Sequence, residues 1–255
     1  MTFPRLRPLG LLLGLALPLL AAPLEAQTKK APQAPDVPTP RVIAYRWMSL
    51  EKWREFHQGD LDRAKAGPID VLFLGDSITE AWDKAGLKVW NEAFEPMKAA
   101  NFGIGGDTTQ NVLWRITEGG ALQGVHPKVV VLMIGTNNIG LHQHTPDAVA
   151  RGVSAVVKTL RQKLPDSRIL LLGIFPRGET PGDRYRQSVA AANERLAKIG
   201  AGDRHVRYLR IWDEFLRPDG TMSKDVMPDF LHPSEAGYRL WTQAMMPTLR
   251  EMLGE

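Results

Sequence analysis

The stretch Ile69-Asp70-Val71-Leu72-Phe73-Leu74-Gly75-Asp76-Ser77 decides the reading of this chain. A short apolar run with branched members, closed by glycine, reads as a strand buried on both faces. Val129 to Ile134 (VVVLMI), Arg168 to Ile174 (RILLLGI) and Val206 to Ile211 share that character, and a short strand is expected near Ala99 to Phe102. Helical patterns lie between these runs. Trp47 to Ala66 carries apolar residues at helical spacing ahead of the first strand. Thr145-Pro146 supplies a cap and a first-turn proline to a helix with Val149, Val153, Val156, Val157, Leu160 and Leu164 on one face, and Pro165 stops it. Asp183 to Ile199 is a further helix, and Ser234 caps a last one bearing Tyr238, Trp241, Met245 and Leu249. Strands alternating with helices predict an α/β fold: a single three-layer α/β/α sandwich with a central parallel sheet, spanning residues 42–255.

Composition narrows what the chain can be. It has 255 residues, 44% hydrophobic and 24% charged, which is globular and excludes disorder for the bulk of it. No cysteine is present, which removes disulfides, thiolate metal sites, cysteine nucleophiles and a lipid-modified amino-terminal cysteine. The net charge of +4 is scattered and gives no support to a nucleic-acid partner. Arg5 and Arg7, the apolar run Leu9 to Ala22 and the small-residue site ending at Ala26 read as a signal peptide over residues 1–26, with an uncleaved anchor as the alternative. The mature chain is then expected to be exported, periplasmic or secreted, with no membrane span left after processing. Residues 27–41, with Lys29, Lys30 and several prolines, read as a flexible Pro-rich tether.

In a parallel sheet, ligands bind beyond the carboxyl ends of the strands. Four polar turns follow the strands directly: Gly75-Asp76-Ser77, Gly103-Ile104-Gly105-Gly106-Asp107, Gly135-Thr136-Asn137-Asn138 and Phe175-Pro176-Arg177-Gly178. Of seven serines, Ser77 alone stands at such a strand-to-helix junction with glycine nearby. It suits a nucleophile with its N–H aimed outward, while position alone favours a plain helix cap. A serine hydroxyl needs a base. His232 follows Asp229 by three residues, so that Asp229 can turn back on Nδ1 while Nε2 faces a serine; a solvated surface turn is the bland alternative. Donors for a developing oxyanion are available from the Ser77 N–H, an N–H of the Gly105-Gly106 turn and the Asn137 side chain.

Gly75-Asp76-Ser77, Gly106, Gly135-Thr136-Asn137-Asn138 and Asp229-x-x-His232 resemble, in order, the four blocks of the SGNH (GDSL-like) hydrolases. Asn101 to Gln110 (NFGIGGDTTQ), Val112-Leu113-Trp114-Arg115, Pro176-Arg177-Gly178 and Asp229-Phe230-Leu231-His232 look like the catalytic subunits of intracellular platelet-activating factor acetylhydrolase. The resemblance runs from about residue 69 to 250. It implies a flavodoxin-like sandwich and a serine esterase. Carried over by position, Ser77 is nucleophile, His232 the base, Asp229 its orienter, and Ser77, Gly106 and Asn137 the oxyanion hole. It implies no metal and no cofactor, and by analogy a homodimer. The expected substrate is a short-chain acyl ester, acetyl above all, on a carbohydrate. A lipid acetylhydrolase and a non-catalytic glycan-binding protein are the alternatives. Asp76, Trp82 and Arg177 are further candidates for substrate contact, and Trp90 joins Trp82 in the long segment after Ser77. Trp47 and Trp53 read as core. His142 and His144 lack the spaced carboxylate that a metal site would want.

Overall fold

The computed structural model describes residues 33–255, so the expected signal peptide, residues 1–26, lies outside the described residues. Helix α1 spans Leu50–Lys65. It starts where the Ser49 hydroxyl accepts the Lys52 N–H at 3.0 Å, which is why the helix expected from Trp47 begins three residues later. Upstream, Tyr45 and Met48 exchange backbone hydrogen bonds of 2.9 and 3.0 Å, leaving Trp47 in a tight turn. Strand β1 (Val71–Gly75), short helix α2 (Ser77–Glu80), helix α3 (Leu87–Ala93), strand β2 (Ala99–Gly103) and helix α4 (Thr109–Ile116) follow. Then come β3 (Val129–Met133), α5 (Thr136–Gly140), α6 (Pro146–Lys163), β4 (Arg168–Leu172), α7 (Arg184–Leu196), β5 (Val206–Leu209) and α8 (Glu235–Leu253). The expected caps Thr145 and Ser234 accept N–H groups of the first turns of α6 and α8, and Asp183 does so for α7.

The five strands form one parallel sheet in the order β2-β1-β3-β4-β5. Alternate residues of each strand face opposite layers. Leu72, Leu74, Val130, Leu132, Ile169 and Leu171 pack against α4, α6 and α7. Val71, Phe73, Val131, Met133, Leu170 and Leu172 pack with the α2–α3 segment and α8. Truncating one of these fully buried leucines to alanine costs about 2–5 kcal/mol. The chain leaves β1 toward β2 and then returns across it to β3, so the crevice opens at the end of β1. The register aligns Gly75 with Gly103 on one side and Met133 on the other. The turns that carry Ser77, Gly106 and Asn137 are therefore neighbours.

The arm before α1 departs from the expected tether. From residue 35 onward it lies on the domain: Thr109 donates to the Pro35 carbonyl at 2.7 Å, and Thr39 N–H bonds the Gln110 carbonyl at 3.0 Å. Proline-rich chain is pre-extended and has few N–H groups of its own to satisfy, so it can be laid across a helix at small entropic cost.

Candidate active site

Strand β1 delivers Ser77 to the crevice, and Asp76 fixes the turn. The Asp76 Oδ1 accepts the Ile78 N–H at 3.0 Å, and the Asp76 carbonyl accepts the Glu80 N–H at 2.8 Å. Gly75 is required by close approach: a Cβ there would stand 2.1 Å from Thr79 Oγ1 and 2.6 Å from the Met133 carbonyl. The Asp76 carboxyl is 1% exposed, and burial pushes its pKa up to about 7 against the pull of the Ile78 hydrogen bond and the His232 charge. Its observed role is to cap the Ser77 turn from within.

The loop before α8 presents His232. Asp229 uses both oxygens there. Oδ1 accepts the backbone N–H groups of Leu231 at 3.1 Å and His232 at 2.7 Å, while Oδ2 lies 2.6 Å from His232 Nδ1. Burial works to raise the Asp229 pKa, but the hydrogen bonds from the His232 ring and from these N–H groups hold it below the ordinary carboxylate value. Phe230 takes a left-handed φ of 58° inside this turn, and its carbonyl accepts the Gly178 N–H at 2.9 Å, tying the loop to the end of β4. An ionised Asp229 only accepts, so Nδ1 must donate. Nε2 is then the acceptor, and it lies 2.9 Å from Ser77 Oγ. Asp229, His232 and Ser77 form one hydrogen-bonded chain across a sequence separation of 155 residues.

The turn Ile104–Asp107 is closed by the Asp107 N–H on the Ile104 carbonyl at 3.1 Å, and Gly106 holds φ 77° within it. Glu80 Oε2 takes the Gly105 N–H at 2.5 Å. Among the described residues the N–H groups of Gly106 and Ser77 have no protein acceptor. The Asn137 side chain is buried and donates one amide hydrogen to the Asp107 carbonyl at 3.0 Å, which leaves its second hydrogen available. Asn138 is structural: it binds the Thr109 N–H at 3.0 Å and reaches Thr109 Oγ1, Gln110 and His144. Arg177 lies over the Tyr185 ring at 4.6 Å and donates to the Thr136 carbonyl at 3.3 Å, so its observed contact braces the Asn137 turn.

Trp82 is not at the site. It is fully buried, with ring centroids 4.3 Å from Tyr238 and 4.8 Å from Trp241, and Trp90 is buried beside it. Trp82 packs against both Phe73 on β1 and Trp241 on α8, and Trp90 packs against Phe73 and Trp82, so the long segment after Ser77 turns inward. Trp47 occupies the position that sequence reasoning missed. It is 54% exposed, stacks on Tyr45 at 5.0 Å, and its Cη2 would lie 2.4 Å from a Cβ on Gly106. Tyr45 in turn reaches His142 Nε2 at 3.3 Å. A partly exposed aromatic pair thus flanks the Gly106 turn. The one available signal was Ser49, whose capping preference separates Trp47 from the helix face.

Among the described residues no group of three or more His, Asp or Glu side chains is placed to hold a metal ion, and no helix is long and apolar enough to cross a membrane. A cavity of about 570 Å³ lies between α1 and the β2 edge, and its lining, which includes Phe56, Asp60, Trp90 and Asn101, does not include Ser77 or His232.

The family model of GDSL-like lipases and acylhydrolases matches residues 73–240. The alpha1 subunit of platelet-activating factor acetylhydrolase IB from Bos taurus is 38% identical over 208 residues, 82% of this chain and 84% of that protein. A GDSL-like lipase from Bacteroides thetaiotaomicron superposes with a TM-score of 0.64 at 17% identity, over 78% of this chain and 98% of that one. An acetylxylan esterase from Geobacillus stearothermophilus does so with a TM-score of 0.56 at 19% identity, over 72% and 94%. The matched span runs from β1 through the His232 loop into α8, and it establishes that the chain belongs to the GDSL-like lipase/acylhydrolase family and is a carboxylic ester hydrolase.

Proposed function

We propose that this chain is an exported serine esterase that removes short acyl groups, acetyl first, from carbohydrate esters. The observation that carries the chemistry is the Asp229–His232–Ser77 chain, with links of 2.6 and 2.9 Å. In this reading Ser77 Oγ attacks the ester carbonyl as its proton passes to His232 Nε2, and Asp229 stabilises the imidazolium. The Ser77 and Gly106 N–H groups and the free amide hydrogen of Asn137 receive the oxyanion. His232 then protonates the departing alcohol, and water, activated by the same imidazole, releases the acid from the acyl-enzyme. Acetyl is favoured because the 38% identical relative is named an acetylhydrolase. Carbohydrate is favoured by the exposed Tyr45–Trp47 stack beside the Gly106 turn, a flat apolar surface suited to a sugar ring, and by the signal-peptide pattern of residues 1–26. A lipid ester of platelet-activating-factor type is the second reading, and the name of that same relative favours it.

The test is turnover of p-nitrophenyl esters of increasing chain length by wild type and Ser77→Ala. A Ser77-dependent rate that is highest on acetate and falls by butyrate supports the short-acyl reading, and acetylated oligosaccharides are the next substrates. A rate that holds or rises with chain length puts the lipid reading first. Turnover unaffected by Ser77→Ala removes both.

A further inference from the structure

Arg41 lies outside the residues matched by the family model and at the end of the Pro-rich arm. The arm is fastened to α4 by Thr109 on the Pro35 carbonyl at 2.7 Å and by Asn111 Nδ2 on the Thr39 carbonyl at 3.0 Å. This carries Arg41 into the interior, where it is 5% exposed. Its guanidinium lies 5.5 Å from the Tyr45 ring and 5.8 Å from the Trp53 ring. One nitrogen, Nη2, donates to the Gly105 carbonyl at 2.7 Å and to Asp107 Oδ1 at 2.9 Å. A single atom of the arm therefore grips both neighbours of Gly106.

The peptide unit explains why that grip matters. The Gly105 carbonyl and the Gly106 N–H belong to one planar trans amide and point in opposite directions. Fixing the oxygen on Arg41 fixes the direction of the N–H, away from the arm. A cation on the carbonyl also polarises the amide and strengthens its N–H as a donor. The second grip acts on Asn137. Asp107 is held by Arg41, by Trp53 Nε1 at 2.7 Å and by Arg115 Nε at 2.8 Å, and its own carbonyl anchors Asn137 Nδ2 at 3.0 Å. Arg115 completes the cluster by binding the strand-end carbonyls of Phe102 at 3.0 Å and Gly75 at 3.1 Å, and Asp60 at 2.8 Å. Two of the three oxyanion donors are thus set by a buried ion cluster that the arm closes.

We propose that Arg41 is a positioning residue for the oxyanion hole, so that the amino-terminal arm is part of the catalytic apparatus. This rests on the oxyanion assignment proposed above. The full chain is measured as wild type, Arg41→Lys, Arg41→Ala, Asn137→Ala and the Arg41→Ala/Asn137→Ala double variant, with kcat and KM on p-nitrophenyl acetate. Losing alignment of an oxyanion donor is expected to lower kcat of Arg41→Ala by about 10–100-fold with KM little changed. Arg41→Lys keeps the charge on a shorter side chain whose ammonium cannot sit where Nη2 does, and should fall between. The double variant should lose less than the product of the two single losses, because both act on one hole. Added methylguanidinium should restore part of the Arg41→Ala rate. If Arg41→Ala does not accumulate folded, Arg41→Lys carries the test through the same kcat and KM split. A normal kcat in the Arg41 variants, or losses that simply multiply, would overturn the inference while leaving the site reading intact. A normal kcat in Asn137→Ala would sink the oxyanion assignment itself and this inference with it.

Discussion

Replacing Asp229 by asparagine is the sharpest probe of the site, because the two oxygens of that carboxylate have different duties. Oδ1 faces two backbone donors, the N–H groups of His232 at 2.7 Å and Leu231 at 3.1 Å. In Asp229→Asn the amide oxygen must take that place, since an NH2 there would oppose two N–H groups. The NH2 then occupies the Oδ2 position, 2.6 Å from His232 Nδ1, and donates where the carboxylate accepted. The ring answers by carrying its proton on Nε2, facing Ser77 Oγ 2.9 Å away, and can no longer take the hydroxyl hydrogen. A wrong tautomer in an otherwise intact triad costs about ten-thousand-fold in kcat, or roughly 5.4 kcal/mol at 1.36 kcal/mol per tenfold. The fold should barely respond, because both side chains are more than a third exposed and such pairs contribute about 0–1 kcal/mol. The assay is kcat on p-nitrophenyl acetate near neutral pH, with the thermal midpoint and the imidazole nitrogen shifts recorded on the same protein. A loss under about tenfold with the fold intact would refute the reasoning, since the carboxylate would then not be setting the tautomer.

Four further outcomes follow from the geometry. Asn137→Ala should lower kcat by about 100-fold or more at near-constant KM, and a change confined to thermal stability would return Asn137 to a turn cap. Asp76→Asn probes the buried carboxyl whose pKa burial lifts to about 7. The folded state holds this proton between the ordinary carboxylate value and about 7, so this group's contribution to stability is full at low pH and declines as pH rises through that window. The thermal midpoint of Asp76→Asn should therefore gain on wild type from pH about 4 to about 7, and a pH-independent difference would show that the carboxyl is ionised throughout. Gly106→Ala should destabilise by at least about 1–2 kcal/mol, because alanine resists the left-handed φ of 77° and its Cβ meets the Trp47 ring. Trp47→Ala should relieve the second part of that cost but not the first, and additive midpoint shifts in the double variant would show that the indole does not press on the turn.

What the sequence determined by itself is what depends on near neighbours. Strands β1 and β3 are buried on both faces, and residues 71–75 and 129–133 say so without any partner being known. The caps Thr145, Asp183 and Ser234 act on N–H groups within three residues. The Asp229 turn onto His232 is an interaction of the same range, and the order of the motif blocks brought Ser77 to it by resemblance. What only the tertiary structure decided is which surfaces meet over long separations. Four tryptophans looked alike as residues; helical spacing put Trp47 in the core, and a place in the long segment after Ser77 put Trp82 at the cleft. The structure reverses both, because the volume left between β1 and α8 is filled by Trp82, while Ser49 ends the turn in which Trp47 stays half exposed. Arg41 had no local pattern to mark it. Its partners Gly105 and Asp107 lie 64 and 66 residues away, and a buried guanidinium is explained only by the carbonyl and carboxylate that the folded sheet places around it.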